Sequence, residues 1–237
     1  MSLLPQIGLL REGALHADLR AWFQRPGDRV EQPVDGFVID LVRGELLVEF
    51  QTGGFSALRR KLPVLLQRHC VRVVTPLAVS RYILKVDATG ELLSQRRSPK
   101  RGRIEDIFAE LSSIPTLLNH PRFALEVVLV ELEETRVHQP RRAFRRHGWV
   151  VSGRALRKVL DRVLITNAEQ ATALLPQPLP DPFTTLDLAT VGALPRRLAQ
   201  QMAYCLLALG SIERIGKRGN AHCYQRRASG KVGSDVT

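Results

Sequence analysis

A mixed α/β fold is predicted by three observations. Leu15, Leu19, Trp22 and Phe23 recur at helical spacing within Arg11–Phe23. Two short runs rich in Val, Ile, Leu and Phe follow, on either side of Arg43-Gly44. A second helical stripe (Phe55, Leu58, Leu62 and Leu65 or Leu66) then precedes a strand-like run, Val71–Pro76. A helix between consecutive strands suits a crossover connection.

The leading helix ends at Pro26-Gly27-Asp28, and Glu12 and His16, four apart, share one of its faces. The next segment reads as a β-hairpin centred on Arg43-Gly44. In that register Val42 faces Glu45, Asp40 faces Leu47 and Val38 faces Glu49. Asp40, Glu49 and Gln51 then share one face, while Ile39, Leu41, Leu46, Val48 and Phe50 take the other. Asp40 and Glu49 become diagonal neighbours, with Cα atoms about 7–8 Å apart. Two carboxylates at that spacing can share one hard cation such as Mg²⁺. They could equally be the wet residues of a half-exposed hairpin. Val38, Val42 and Leu47 on the same face suggest instead that both faces are covered, which makes idle carboxylates costly there.

Gly53-Gly54 breaks the chain before a helix at about Phe55–Gln67, which carries Arg59, Arg60 and Lys61. Tyr82–Val86 and Glu91–Arg96 read as a second hairpin around Asp87–Gly90. The densest basic run, Arg96–Arg103, is held in a loop by Pro99 and Gly102. Lys100, Arg101 and Arg103 there suit phosphate contact better than mere solvation. Ile104–Leu118 reads as helical, with a kink or a new start at Pro115. Phe123–Leu132 is a strand or a buried helix, and its periodicity does not decide. A second basic run, Arg141–His147, precedes Gly148-Trp149-Val150, and Arg154–Val163 reads as a helix.

Pro176, Pro178, Pro180 and Pro182 exclude helix and mark the edge of a module. Beyond them, Phe183-Thr184-Thr185 offers an N-cap to Leu186–Val191, and Gly192-Ala193-Leu194 is a turn. Pro195 starts a longer helix, Arg196–Leu209, ended by Gly210. Ser211–Ile215 and Ala221–Gln225 flank a basic turn, Gly216–Asn220, and residues 227–237 form a polar tail expected to be disordered.

Composition narrows the function. The 237 residues include 35 Lys+Arg against 23 Asp+Glu, a net charge of +12, which favours a polyanionic partner, most simply nucleic acid. A hydrophobic content of 44% supports a normal core, yet no apolar run approaches membrane-spanning length. Cys70, Cys205 and Cys223 are scattered without metal-ligand spacing and read as reduced thiols of a cytoplasmic protein. The opening MSLLPQIGLLREG lacks the basic start of a signal peptide.

The pattern Asp40, eight residues, then Glu49-Phe50-Gln51 lies within the order of elements above. Over about residues 9–87 the chain thereby resembles the PD-(D/E)xK nuclease superfamily. Its Glu-Phe-Gln form is similar to the competence-protein CoiA-like branch, where Gln stands in the Lys position. The resemblance implies a restriction-endonuclease-like αβββαβ core within residues 1–165. It also implies Mg²⁺ or Mn²⁺ held by Asp40, Glu49 and the carbonyl of Phe50, with Gln51 positioning water. Glu12 matches the extra acidic residue many members carry. Gln51 brings no charge, so Lys61 or Arg59 from the following helix would have to offset transition-state charge.

Residues 166–226 resemble a winged helix-turn-helix domain. There Arg196, Arg197, Gln200 and Gln201 match the start of the recognition helix, and Lys217 and Arg218 the wing tip. Together these imply metal-dependent hydrolysis of DNA, duplex or branched, by a chain with no membrane role. A homodimer would suit cutting of both strands. The alternatives are a catalytically inactive DNA-binding regulator and an interaction protein using its winged helix for protein contacts.

Overall fold

Residues 13–139 and 148–227 are described by a computed structural model. Glu12, the basic run Arg141–His147 and the tail from residue 228 lie outside the described residues. Helix α1 (Ala14–Phe23) buries Leu15, Leu19 and Phe23, a single stripe at a spacing of four. Its end is locked from the sheet. The Arg43 guanidinium donates to the Phe23 carbonyl at 2.9 Å and to both Asp28 oxygens at 2.9 and 2.7 Å, and it lies 4.8 Å from the Phe23 ring centroid.

Strands β1 (Arg29–Val34), β2 (Phe37–Arg43) and β3 (Leu46–Phe50) form an antiparallel meander. A 3₁₀ turn (Phe55–Arg59) and the short helix α2 (Leu62–Leu65) cross over to β4 (Cys70–Val86), which runs parallel to β3. Strand β5 (Leu92–Arg97) returns along β4 as the predicted second hairpin. After helix α3 (Ile107–Leu111), the long strands β6 (Phe123–His138) and β7 (Trp149–Ile165) complete the seven-stranded sheet. The strand order is β1-β2-β3-β4-β6-β7, with β5 on β4.

Both sheet faces are covered, as the apolar strands required. Helix α1 packs with Leu41, Val48, Phe50 and Val74 on one face. On the other, Phe55, Leu58, Leu62 and Phe108 pack over Val42, Leu47, Val73 and Leu125.

The last elements are α4 (Ala168–Thr172), β8 (Phe183–Thr184), α5 (Thr185–Gly192), α6 (Arg196–Ala208), β9 (Ile212–Arg218) and β10 (Ala221–Arg226). Thr184 caps α5 in a reciprocal box with Asp187, as its position predicts. Ala193 takes φ +47° to turn the chain into α6. Strands β8, β10 and β9 form a small antiparallel sheet. This unit shares one continuous apolar cluster with α3 and the large sheet.

Several readings of the sequence change. The helix expected at Phe55–Gln67 is a 3₁₀ turn and a four-residue helix, Gly216–Arg218 belong to β9 rather than to the turn, and Trp22 is exposed. The β2–β3 turn is Gly44-Glu45, not Arg43-Gly44, with Gly44 at φ +57°. Val42 therefore pairs with Leu47 and Leu41 with Val48, a displacement of two residues from the predicted register. An even displacement preserves face membership, but Ile39 departs from it. Ile39 joins the α2-side cluster while Leu41 joins the α1-side cluster, where the β1–β2 pairing skips Glu31, at φ +51°.

Val71–Pro76 and Tyr82–Val86 are one strand, β4, with its pairing to β6 shifted between Ala78 and Ser80. Ile104–Leu118 holds a 3₁₀ turn, the one-turn helix α3 and the start of a second 3₁₀ turn, Leu117–Asn119. Arg154–Val163 is strand, not helix. Bulges at Arg157 and Leu160 interrupt its pairing with β6. Each inserts a residue and converts a period of two into the spacing of three to four that imitates a helix.

Candidate functional site

The hairpin register decides what the two carboxylates can do together. The paired ladder ends at Leu41 and Val48. Just beyond it the Phe50 N–H donates to the Asp40 side chain, at Oδ2, over 2.7 Å. The Asp40 charge is near enough to Glu49 to help raise its carboxyl. Glu49 is 6% exposed and Asp40 only half-buried, so the pair sits at the mouth of the core rather than deep within it.

Each carboxylate meets a cation from a different element. His16, on α1, places Nε2 3.1 Å from Asp40 Oδ2 and its ring edge-on to Phe50. Lys61, at the start of α2, places Nζ 2.6 Å from Glu49 Oε1 and 2.6 Å from the Val38 carbonyl. Of the two candidates for the missing charge, Lys61 thus reaches the carboxylates. Arg59 instead donates to the Ser113 carbonyl at 2.7 Å, beyond the end of α3.

The environments push the two acids apart. Burial raises the Glu49 carboxyl above its ordinary range, and the Lys61 contact only partly opposes it. Burial also pushes Asp40 up, but the hydrogen bonds from His16 and the Phe50 amide, with the nearby charges of His16 and Lys61, hold it below the usual range. Asp40 in turn raises the His16 imidazole. Paired groups driven in opposite directions are a common mark of acid–base or metal chemistry.

Gln51 follows β3, where its amide N–H donates to the Val74 carbonyl and its own carbonyl accepts from Thr75 Oγ1 at 2.8 Å. Its side chain turns to the Gly54 carbonyl at 3.0 Å and away from the carboxylates. Among the described residues, no group of three or more His, Cys, Asp and Glu is arranged to hold a metal ion. The donor chemistry of the hairpin still fits a hard cation. Two carboxylates lie near each other, and Glu49 Oε1 is closed to solvent with Lys61 as its neighbour at 2.6 Å.

The expected DNA contacts divide. Lys100 and Arg101 are exposed in the 98–103 loop, where Arg101 Nη1 donates to the Ser98 carbonyl at 2.9 Å. Arg103 is committed internally, donating to the Gly192 carbonyl and pairing with Glu105 at 2.7 Å. On α6, Arg196, Arg197 and Gln200 are exposed, but Gln201 is half-buried, 3.5 Å from Ser112 Oγ. Lys217 is exposed at the hairpin tip, while Arg218 Nη1 lies 3.2 Å from Asp187 Oδ2.

Two residues escaped the sequence reading. His16 was seen to share a face with Glu12, but nothing in the sequence tied it to Asp40. Tyr204 is 53% exposed and one turn beyond Gln200, on the outward face of α6; a helical projection from Arg197 would have found it. No helix among the described residues is long and apolar enough to cross a membrane. All three cysteines are free, and burial pushes the Cys205 thiol up to about 12.

An uncharacterized protein of Treponema pallidum (strain Nichols) is 29% identical over 231 residues, covering 94% of this chain and 89% of the relative. No solved structure matches the chain. Residues 13–166, well over half of the chain, match the family described as "Domain of unknown function (DUF8091)", and the chain belongs to that family.

Proposed function

We propose that the chain is a metal-dependent DNA nuclease of the PD-(D/E)xK type, with a C-terminal winged helix that holds the duplex. The observation that carries this reading is the delivery of Lys61 from the crossover to Glu49 at 2.6 Å, with the Asp40 charge close by on the neighbouring strand. The motif thereby regains the cation that Gln51 lacks. Asp40 and Glu49, with the Phe50 carbonyl, would hold Mg²⁺ or Mn²⁺, which polarises a scissile phosphate and lowers the pKa of bound water.

The chain's own residues do the rest. His16 orients Asp40 through its 3.1 Å contact. Lys61, beside Glu49, would offset negative charge building on the phosphate. Burial of Glu49 beside the core keeps the local dielectric low, which strengthens each of these interactions. Arg196, Arg197 and Gln200 on the outward face of α6, with Lys217 at the hairpin tip, offer the order of contacts expected of a recognition helix and a wing.

A second reading is a non-catalytic DNA-binding regulator built on the same fold. It is favoured by the Gln51 side chain, which is turned to Gly54. The test is to incubate plasmid, linear and branched DNA with Mg²⁺ or Mn²⁺, using wild type, Asp40→Ala and Glu49→Ala. Cleavage that both substitutions abolish supports the nuclease. Salt-sensitive binding without cleavage under either metal supports the regulator.

A further inference from the structure

A cavity of about 290 Å³ opens beside the segment that follows Glu49. Its walls come from three places: Thr75–Ala78 of β4, the loop with Ser98, Lys100 and Gly102, and α3 with its preceding residue Asp106. Two of its lining groups bond to the backbone of the segment that leaves the hairpin. Thr75 Oγ1 donates to the Gln51 carbonyl, and Glu110 Oε2 accepts from the Phe55 N–H at 3.2 Å. The cavity therefore lies next to the segment that leaves the hairpin.

Its wall is built rather than incidental. Gly102 donates its N–H to the Ala78 carbonyl at 3.1 Å, and a Cβ at Gly102 would sit 2.3 Å from that oxygen. Only glycine lets the basic loop lie flush on β4. This contact fixes Lys100 at the rim, where it makes no ion pair among the described residues. Arg81 shares the rim, anchored to Glu134 at 3.3 Å. The floor is apolar, from Leu77 and Ile107, and Asp106 and Glu110 offer carboxylate acceptors at its side.

We infer that this cavity receives one unpaired nucleotide of the DNA strand lying across the hairpin. An apolar floor suits the face of a base, the carboxylates suit its amino groups, and Lys100 suits its phosphate. The volume lies at the small end of ligand pockets, about 300–1,000 Å³, and holds one base rather than a pair. A base inside a duplex is stacked and cannot enter such a recess unless it is flipped or already single-stranded. The preferred substrate is then a DNA end, flap or branch with unpaired nucleotides, not an intact duplex. This deepens the nuclease reading, on which only the cutting, not the binding, depends.

The test is fluorescence anisotropy in EDTA with a blunt duplex and the same duplex bearing a single-stranded overhang. Ala109→Trp fills the cavity from an exposed position of α3, and Lys100→Glu reverses the charge at its rim. Wild type should prefer the overhang. Ala109→Trp should lower overhang affinity about tenfold, equivalent to about 1.4 kcal/mol, while leaving blunt-duplex affinity unchanged. Lys100→Glu should reduce the ratio of overhang to blunt affinity, and it carries the test if Ala109→Trp fails to fold. Equal wild-type affinity for both probes, or a preference that survives both substitutions, overturns the proposal. A preference that both substitutions remove, with no cleavage under Mg²⁺ or Mn²⁺, upholds the cavity and refutes the nuclease. Equal cleavage of blunt and overhang DNA, unaffected by Ala109→Trp, refutes the cavity and upholds the nuclease.

Discussion

Replacing Lys61 with methionine keeps the length of the side chain and removes its charge beside a buried carboxylate. Glu49 is 6% exposed, and Lys61 Nζ lies 2.6 Å from its Oε1. Breaking a buried ion pair by removing one partner typically costs about 3–5 kcal/mol. Glu49 has an escape, because burial already raises its carboxyl and it can bind a proton instead. The loss should therefore be about 2–4 kcal/mol near pH 7. The sign with pH follows from the same shift. The folded state binds the Glu49 proton more tightly than the unfolded state, so the destabilisation is full above the raised folded pKa. It fades as the pH falls towards the unfolded value of about 4.3. The assay is urea unfolding in EDTA near pH 7 and near pH 5, with Glu49→Gln and the double variant closing the cycle. Lys61→Met should cost much less in the Glu49→Gln background. An effect below about 0.5 kcal/mol, or one unchanged by pH and by Glu49→Gln, would refute the ion pair and the role assigned to Lys61.

The remaining predictions are smaller. His16→Asn should lower stability most at mildly acidic pH, as read by thermal unfolding. The raised His16 stabilises below its unfolded pKa of about 6.5 and loses this as pH climbs through the folded value, while the lowered Asp40 keeps its share until pH falls through its own folded value. Arg103→Ala should cost about 1 kcal/mol, because the side chain bridges to the Gly192 carbonyl, yet leave DNA affinity unchanged in a filter-binding assay. Lys217→Ala should reduce the salt slope of DNA binding by about one while leaving the melting temperature unaltered. Thr184→Ala removes the cap of α5 and should cost about 0.5–2 kcal/mol in urea unfolding.

The sequence determined whatever depends on neighbours along the chain. The α1 stripe of Leu15, Leu19 and Phe23, the capping box at Thr184 and the turn at Gly192–Leu194 are local patterns, and each stands where the sequence put it. Trp22, however, is exposed, and the last hairpin turns only at Gly219-Asn220 rather than over Gly216–Asn220. Face membership of Leu41, Val42, Leu47 and Val48 was legible for the same reason, since it follows parity and survives a displacement of two. Distance between the carboxylates was not legible, because it depends on which residues occupy the turn. Tertiary packing decided the rest. Arg154–Val163 became strand because β6 offers it a ladder, and bulges hid the alternation. The 104–118 segment, helical by its apolar positions, forms only one turn of helix where it must pack between the crossover and α6. Lys61 rather than Arg59 reached Glu49 because the Phe55–Arg59 segment winds as 3₁₀, at three residues per turn, which alters the face each side chain takes. His16 met Asp40 because α1 packs across the sheet through Leu15, Leu19 and Phe23, with Arg43 bonded to its end. The hydrophobic pattern of the chain specifies which elements form and which face each buries; contacts between side chains far apart in sequence depend on register and packing, which no local pattern encodes.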